Sequence, residues 1–154
     1  MSKKSKKPPV KTISNRRASY DYELGDSLIA GISLTGKETK SLRLGHGHLK
    51  GAYVTVKNGE LWLINATVTS ANGYTIPPED QTRPRKLLVK KRELNALLKA
   101  KDEGMTIVPL DLLTKSRYIK LRISAGKGKK RYDKRQTIKK RDVEREVNRA
   151  LKSR

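Results

Sequence analysis

Residues 51–66 read GAYVTVKNGELWLINA and carry the clearest structural signal in the chain. On either side of Asn58-Gly59, apolar and polar side chains alternate, as they do in strands with one buried face. Asn-Gly is the pair that most favours a two-residue turn, because both turn positions require a positive φ. The stretch therefore predicts two adjacent antiparallel strands, residues 52–56 and 61–68, joined by a tight turn.

Further strands are predicted by similar apolar runs at residues 28–34, 106–113 and 118–123. Short helices are predicted at about residues 38–44 and 90–102, each followed by a glycine that suits a left-handed cap. Five or six short strands with an inserted helix and no sequence repeat favour an antiparallel barrel of the OB type over a sandwich. We therefore predict a mainly β fold with two or three short helices.

Composition divides the chain into three parts. Residues 1–14 are predicted to be a flexible basic arm, and residues 15–125 to form the barrel, with segment 70–84 as a mobile, proline-containing surface loop. Residues 126–154 form a basic tail that lacks enough apolar residues to build a core. One face of the tail nevertheless has helical apolar spacing, so we predict disorder in the free tail and a helix in the bound tail. That face consists of Val143, Val147, Ala150 and Leu151.

Charge indicates the kind of partner. The 154 residues include 37 Lys and Arg against 15 Asp and Glu, a net charge of +22. Such an excess favours a polyanion, and its clustering in residues 3–17, 83–92 and 127–141 favours nucleic acid contacted by several surfaces. No run approaches the roughly 18 apolar residues of a spanning helix. No apolar segment follows the basic start as a signal peptide requires. We expect a cytoplasmic protein with no membrane partner.

An enzymatic function is less well supported by the sequence than nucleic-acid binding. The stretch GISLTGKETK, residues 31–40, is close to a phosphate-binding loop, but Glu38 occupies the position where that loop needs Ser or Thr for magnesium. His46 and His48 have a spacing compatible with metal ligands, yet the absence of cysteine and of nearby carboxylates favours exposed loop histidines. We expect no catalytic residues, no metal site and no cofactor.

Aromatic residues near the cationic clusters are candidates for base stacking. Tyr20 and Tyr22 fit equally well as strand residues that face the core. Tyr132 lies in a segment with no core to join, which favours contact with a partner. Trp62 lies between Leu61 and Leu63, which favours the core or the barrel surface.

Three motifs, in this order, resemble the bacterial tmRNA-binding family SmpB over about residues 15–149. They are G-x-E-x-K-S-L-R at residues 36–43, R-K-L-L at 85–88 and G-K-K-x-Y-D-K-R at 128–135. The resemblance implies an OB-fold barrel that binds the tRNA-like domain of tmRNA and carries it to stalled ribosomes. It also implies a monomer, with elongation factor Tu as an indirect partner through alanyl-tmRNA.

The resemblance implies two sets of contact residues. The set that holds tmRNA comprises Asn15, Arg16, Arg17, Lys40, Arg43, Arg85, Lys86, Leu88 and Lys90. The set that contacts the decoding centre, with its small-subunit rRNA, and the vacant mRNA channel comprises Gly128, Lys129, Lys130, Tyr132, Asp133, Lys134, Arg135, Ile138, Lys139, Arg141 and Arg145.

One position departs from the family pattern. Ile29 stands where the family commonly has Glu, and a neutral side chain removes an acceptor for a base edge or a 2′-hydroxyl. Lys90, where some members have a neutral polar residue, offers an additional phosphate contact. Composition alone leaves a structural ribosomal protein, or a general basic RNA-binding protein, as the alternative reading.

Overall fold

The computed structural model describes residues 13–153, with the side chains of residues 131–133 left out of the description. The strands are β1 (Ile13–Ser14), β2 (Tyr22–Ile32), β3 (Gly47–His48), β4 (Tyr53–Lys57), β5 (Glu60–Ile64), β6 (Thr67–Val68), β7 (Arg85–Leu88), β8 (Thr106–Leu113) and β9 (Lys120–Gly128). The helices are α1 (Ala18–Asp21), α2 (Gly36–Arg43), α3 (Pro78–Gln81), α4 (Lys91–Asp102) and α5 (Arg131–Lys152).

An antiparallel sheet of seven strands, in the order β1-β8-β9-β2-β7-β5-β4, forms most of the fold, and β3 pairs separately with β6. The sheet curls on itself, because β4 at one edge lies against β8 near the other. Its inner face packs around fully buried leucines and isoleucines such as Leu61, Leu63, Leu121 and Ile123. The predicted OB-type antiparallel fold is confirmed, although no strand pairing joins β4 to β8 among residues 13–153.

The hairpin predicted from residues 51–66 is confirmed. β4 and β5 pair from Tyr53 opposite Ile64 to Lys57 opposite Glu60. Asn58 and Gly59 have φ values of 53° and 73°, as the two-residue turn requires. The side chains of Leu61 and Leu63 point into the core, while Trp62 between them lies half-buried on the outer face of the sheet.

Two strands are longer than their sequence patterns predicted. β2 begins at Tyr22, and its pairing with β9 shifts between Leu24 and Ser27, which interrupts the alternation that marks a strand in sequence. β9 continues to Gly128, whose partner is Tyr22. The tail therefore begins at Lys129, three residues later than predicted. At the other terminus, Ile13 is buried and pairs with Leu112, so the predicted arm loses its last two residues to the sheet. Residues 1–12 of that arm lie outside the described residues.

Segment 70–84 is anchored, which corrects the prediction of a mobile surface loop. Ile76 is only 4% exposed and joins the core. The Ser70 hydroxyl accepts from the Ile76 backbone N–H at 2.8 Å and contacts its carbonyl oxygen at 3.2 Å. One apolar residue among prolines and polar residues gives no periodic signal, so its burial was not predictable from pattern.

The tail forms one continuous helix, α5, from Arg131 to Lys152. The structure gives the tail the helix that we predicted for its bound state, and the disorder of the free tail stays a prediction. Lys, Arg and Glu have good helix propensity, and acidic residues such as Glu144 alternate with basic residues along the helix. Val143, Val147 and Leu151 share an exposed apolar stripe. Among residues 13–153, no helix is both long enough and apolar enough to cross a membrane.

Candidate nucleic-acid interface

The beginning of α2 is organised by Glu38, which is 2% exposed. The Thr35 side chain accepts from the Glu38 backbone N–H at 3.3 Å, and the Glu38 carboxylate accepts from the Thr35 backbone N–H at 3.1 Å. The same carboxylate accepts hydrogen bonds from the guanidinium groups of Arg83 and Arg85. Glu38 thus caps its own helix and attaches it to β7, which explains a glutamate in a sequence that superficially resembles a phosphate loop.

Arg85 is completely buried and its donors are used within the protein. Besides Glu38, it donates to the carbonyl oxygen of Ala66 at 2.8 Å and to that of Gln81 at 3.1 Å. We predicted that Arg85 contacts tmRNA, but the structure places its side chain in the interior, where it has no exposed donor to offer an RNA phosphate. Arg85 instead joins α2, β7 and the segment around α3.

The two charges perturb each other's titration. Burial by itself would raise the pKa of the Glu38 carboxyl, but hydrogen bonds from Arg83, Thr35 and Arg85 and the nearby Arg85 charge hold that pKa below 4.5. Burial lowers the pKa of Arg85, and the hydrogen bond and charge of Glu38 oppose that shift. The Glu38 carboxyl in the folded protein therefore favours the ionised form more strongly than an ordinary glutamate does.

We expect the stability gained from Glu38 to disappear at acid pH. A carboxyl whose folded-state pKa is depressed stabilises the fold above its unfolded pKa, near 4.5, and loses that effect as the pH falls through the folded value. The difference in unfolding free energy between wild type and Glu38→Gln should shrink steadily below pH 4.5. Urea unfolding at a series of pH values measures this. A difference that stays constant to pH 3 contradicts the assignment.

Arg43 and Lys40, both in α2, have different environments. Arg43 donates to the carbonyl oxygens of Thr114 at 2.9 Å and Arg117 at 2.7 Å, so it fixes the connection between β8 and β9. Lys40 is exposed, with its ammonium 4.8 Å from the centre of the Tyr74 ring. Of these two predicted tmRNA contacts, Lys40 has a solvent-exposed charge, whereas Arg43 donates its hydrogen bonds to backbone carbonyls within the protein.

A shallow depression of about 480 Å³ lies where β2, β7 and β9 meet and includes Leu88 and Lys90. We call it the Leu88 depression. Its lining also includes Ile29, Gly31 and Lys120, and the side chains of Ile29 and Leu88 are 52% and 55% exposed. Gly31 lies opposite Leu88, and a Cβ at Gly31 would lie 3.2 Å from that of Leu88. Apolar surface beside two ammonium groups suits a base or sugar flanked by phosphates.

A second cavity of about 550 Å³ is lined by residues that include Asn15, Arg17, Tyr22, Lys50 and Tyr53. We call it the Asn15 cleft. The Asn15 side-chain amide donates to the carbonyl oxygen of Pro109 at 3.0 Å, which ties the chain entering α1 to β8. Tyr53 is 46% exposed, so its ring is accessible. The predicted tmRNA residues that line a cavity are thus divided between this cleft and the Leu88 depression.

Two other predicted tmRNA residues lie on the outer surface. Arg16 is exposed. Lys86 is paired with Glu60 at 2.9 Å on the outer face of the sheet, beside Trp62 in the neighbouring strand. This pair is roughly two-fifths exposed on each side, so it is readily exchanged for a phosphate contact.

The predicted ribosome-contacting residues begin at the end of β9 and continue along α5. Lys129 donates through its Nζ to the Thr137 hydroxyl at 2.9 Å, and Lys134 pairs with Asp21 at 3.5 Å. The backbone of Tyr132 and Asp133 lies in the first turn of α5, while their side chains are outside the description. The remaining predicted residues here are exposed: Gly128, Lys130, Arg135, Ile138, Lys139, Arg141 and Arg145.

The structure does not bring the candidate metal ligands His46 and His48 together with further metal-binding side chains among the described residues. His46 and His48 are both exposed near the end of α2 and in β3. Within residues 13–153, no group of three or more His, Cys, Asp or Glu side chains is placed to hold a metal ion.

Pattern reasoning missed Lys120 and Tyr53 as lining residues of the two cavities. Lys120 enters the Leu88 depression because it lies opposite Gly31, and this register between β2 and β9 is not encoded locally. The sequence pattern placed Tyr53 in a strand but did not show which face of that strand is exposed. An alternating strand shows which residues share a face, whereas the identity of the exposed face depends on the rest of the sheet.

A curled antiparallel sheet with exposed cations on several surfaces and a long basic helix is characteristic of basic nucleic-acid-binding proteins of the OB type. The family model described as "SmpB: SmpB protein" matches residues 12–153. The chain belongs to the SmpB family.

The chain is similar to SsrA-binding proteins over nearly its whole length. The chain is 44% identical to an SsrA-binding protein from Bradyrhizobium diazoefficiens, covering 100% of this chain and 99% of the relative. It is 45% identical to an SsrA-binding protein from Coxiella burnetii, covering 97% and 96%. A chain in the solved structure described as "tmRNA-SmpB: a journey to the center of the bacterial ribosome" is 36% identical, with a TM-score of 0.64, covering 82% of this chain and 94% of that one.

Proposed function

We propose that this protein is a non-enzymatic adaptor that binds tmRNA and delivers it to stalled ribosomes in trans-translation. The observation that carries the proposal is the family match over residues 12–153. Relatives of nearly equal length are SsrA-binding proteins, and the similar solved chain belongs to a structure described as tmRNA-SmpB in the bacterial ribosome. The net charge of +22 supports an RNA partner. The proposal includes a monomer that acts in the cytoplasm.

Within this function, the Leu88 depression is the part of the barrel best suited to the tRNA-like domain. Leu88 and Ile29 provide apolar surface for a base or sugar, and Lys90 and Lys120 provide charge for the adjoining phosphates. Ile29 offers no acceptor, and the Glu93 carboxylate in the lining accepts from the Lys90 backbone N–H at 3.0 Å, so recognition here relies on shape and on phosphate contacts. Arg16, Arg17 and Lys40 extend the basic surface beyond the depression.

The tail acts on the ribosome. Residues 132–135 enter the decoding centre, and the rest of α5 occupies the mRNA channel where mRNA is missing. Exposed cations such as Lys139 and Arg145 are compatible with a channel lined by rRNA phosphates. An intact mRNA would exclude the helix, which distinguishes stalled from active ribosomes.

Binding of the purified protein to tmRNA and to an elongator tRNA, over a series of salt concentrations, tests the proposal. A truncation after Gly128 keeps β9 whole and removes α5. We expect tight binding that prefers tmRNA and survives the truncation, with a smaller salt dependence for the shortened chain. Equal binding to both RNAs that is lost with added salt would overturn the proposal and favour a ribosomal or general RNA-binding protein.

A further inference from the structure

The tail helix α5 contacts α1, a helix of four residues next to the end of β9. Tyr22, which follows α1, pairs with Gly128 at the last position of β9. The backbone N–H of Lys129 then donates to the carbonyl oxygen of Asp21 at 2.9 Å. The chain therefore leaves the barrel directly beside α1.

Asp21 also holds α5 through its side chain. One carboxylate oxygen lies 3.5 Å from the Lys134 ammonium, and the other lies 3.6 Å from the guanidinium of Arg17. The side chains of Asp21 and Lys134 are 30% and 34% exposed, so water screens their attraction only in part. The carboxylate thus links Arg17, the residue just before α1, to a cation of the tail.

A second contact fixes the direction of the helix. Arg141 donates to the Ser19 hydroxyl at 3.1 Å. Lys134 and Arg141 are seven residues apart, which is two turns and about 10 Å along one helix face. These two contacts orient the helix axis, with further support from the hydrogen bond between Lys129 and Thr137 at 2.9 Å and from the Lys134 ammonium 5.9 Å from the centre of the Tyr20 ring. From residue 142 onward the side chains of α5 are exposed.

Charge makes Asp21 the decisive member of this contact. Arg16 and Arg17 at the start of α1 carry the same sign as the excess charge of α5, so the two helices would repel without a carboxylate between them. Asp21 is the only acidic residue of α1, and the next carboxylate along the chain, Glu23 in β2, lines a shallow cavity with Lys129 and Lys140.

We propose that Asp21 is a positioning residue that sets the direction in which α5 leaves the barrel, and thereby where residues 132–135 are presented to the ribosome. The second half of this statement rests on the proposed function, and the first half does not. An uncoupled helix would still form, and the protein would still bind tmRNA, but its tail would sample many directions before it entered the ribosome.

Spin labels measure the direction of the helix without reference to function. Since the chain has no cysteine, labels can be attached uniquely to Lys99→Cys on α4 and Asn148→Cys on α5, both exposed positions. We expect a narrow distance distribution for the otherwise unchanged chain in a pulsed dipolar measurement. Asp21→Asn should broaden it, and Asp21→Lys should broaden it further.

Controls separate positioning from damage to the fold. Asp26→Asn removes the same charge at an exposed position of β2 and should leave the distribution unchanged. Asp21→Glu should preserve it, and Lys134→Asp should restore it in the Asp21→Lys background by exchanging the charges. A broad distribution in the unchanged chain, or a narrow one in Asp21→Lys, would overturn the proposal.

The functional consequence is measured on stalled ribosomes. We expect Asp21→Asn to lower the rate of tagging about tenfold at saturating tmRNA, since misplacement of a positioned group costs at least this much. The affinity for tmRNA is measured on the same variant, because Asp21 also lines the Asn15 cleft and pairs with Arg17. Wild-type tagging by Asp21→Asn would refute a role in presenting the tail. Lack of tmRNA binding by the wild type would instead refute the proposed function and leave the spin-label result intact.

Discussion

Glu38→Ala should lower the free energy of unfolding by about 3–5 kcal/mol, because it leaves a buried guanidinium without its carboxylate. Arg85 is completely buried, and its remaining partners are backbone carbonyls that carry no full charge. The change also removes the cap at the beginning of α2 and the partner of Arg83. For a chain of this size, the melting temperature should fall by roughly 10 °C or more. Urea and thermal unfolding measure both quantities.

Glu93→Ala is a matched control for the cap alone. Glu93 occupies the same third position of its helix, and its carboxylate accepts from the Lys90 backbone N–H at 3.0 Å. The Lys90 side chain has no acceptor for the Glu93 backbone N–H, so the reciprocal capping hydrogen bond does not form. Glu93 also lacks the buried arginine partner that Glu38 has. Its loss should cost about 1 kcal/mol. If Glu38→Ala costs no more than Glu93→Ala, the buried ion pair does not stabilise the fold as argued.

The double variant Glu38→Met with Arg85→Met tests the origin of the loss. Replacing both charges by apolar side chains removes the need to solvate either one, so much of the stability lost in Glu38→Ala should return. If the double variant does not regain stability, the loss in Glu38→Ala is due to the helix cap and to the many backbone contacts of Arg85. Because stability is expected to change, tmRNA affinity of these variants has to be measured well below their melting temperatures.

Local signals explain what the sequence could predict. The β4–β5 hairpin follows from alternation and Asn58-Gly59, and α4 follows from its apolar stripe and the glycine after it, because each depends on neighbours within a few residues. Resemblance to a family, carried by three motifs, predicted the overall fold and the family that the comparison then confirmed.

Non-local contacts explain what the sequence could not predict. Arg85 looked like a surface cation because its partner Glu38 is 47 residues away. Glu38 lies in a helix motif and Arg85 in a separate strand motif, and nothing local in the sequence joins them. The Leu88 depression likewise depends on the register of β2 with β7 and β9. The contacts of α5 with α1 span more than a hundred residues, including Arg141 to Ser19, so no local pattern could predict them.

Replacing Asp133, Lys134 and Arg135 together with Ala should abolish tagging on stalled ribosomes, a loss of about a hundredfold or more, since the tail could no longer be fixed in the decoding centre. The affinity for tmRNA should remain nearly unchanged. These residues lie in the first turns of α5, outside the sheet that contains the Leu88 depression. Tagging assays and equilibrium binding, performed on the same preparations, measure the two effects separately.

Charge alone does not account for the expected loss, because the triple change removes two cations and one anion. Arg149→Ala removes the same net charge from the exposed distal part of α5 and is the matched control. Lys134 also pairs with Asp21, so a variant with only Asp133→Ala and Arg135→Ala keeps the helix oriented while it tests the proposed decoding-centre contact. If that variant tags normally and the triple does not, orientation of α5 is the limiting factor. If tmRNA binding falls together with tagging, the barrel and the tail do not divide the two tasks, and RNA recognition extends into α5.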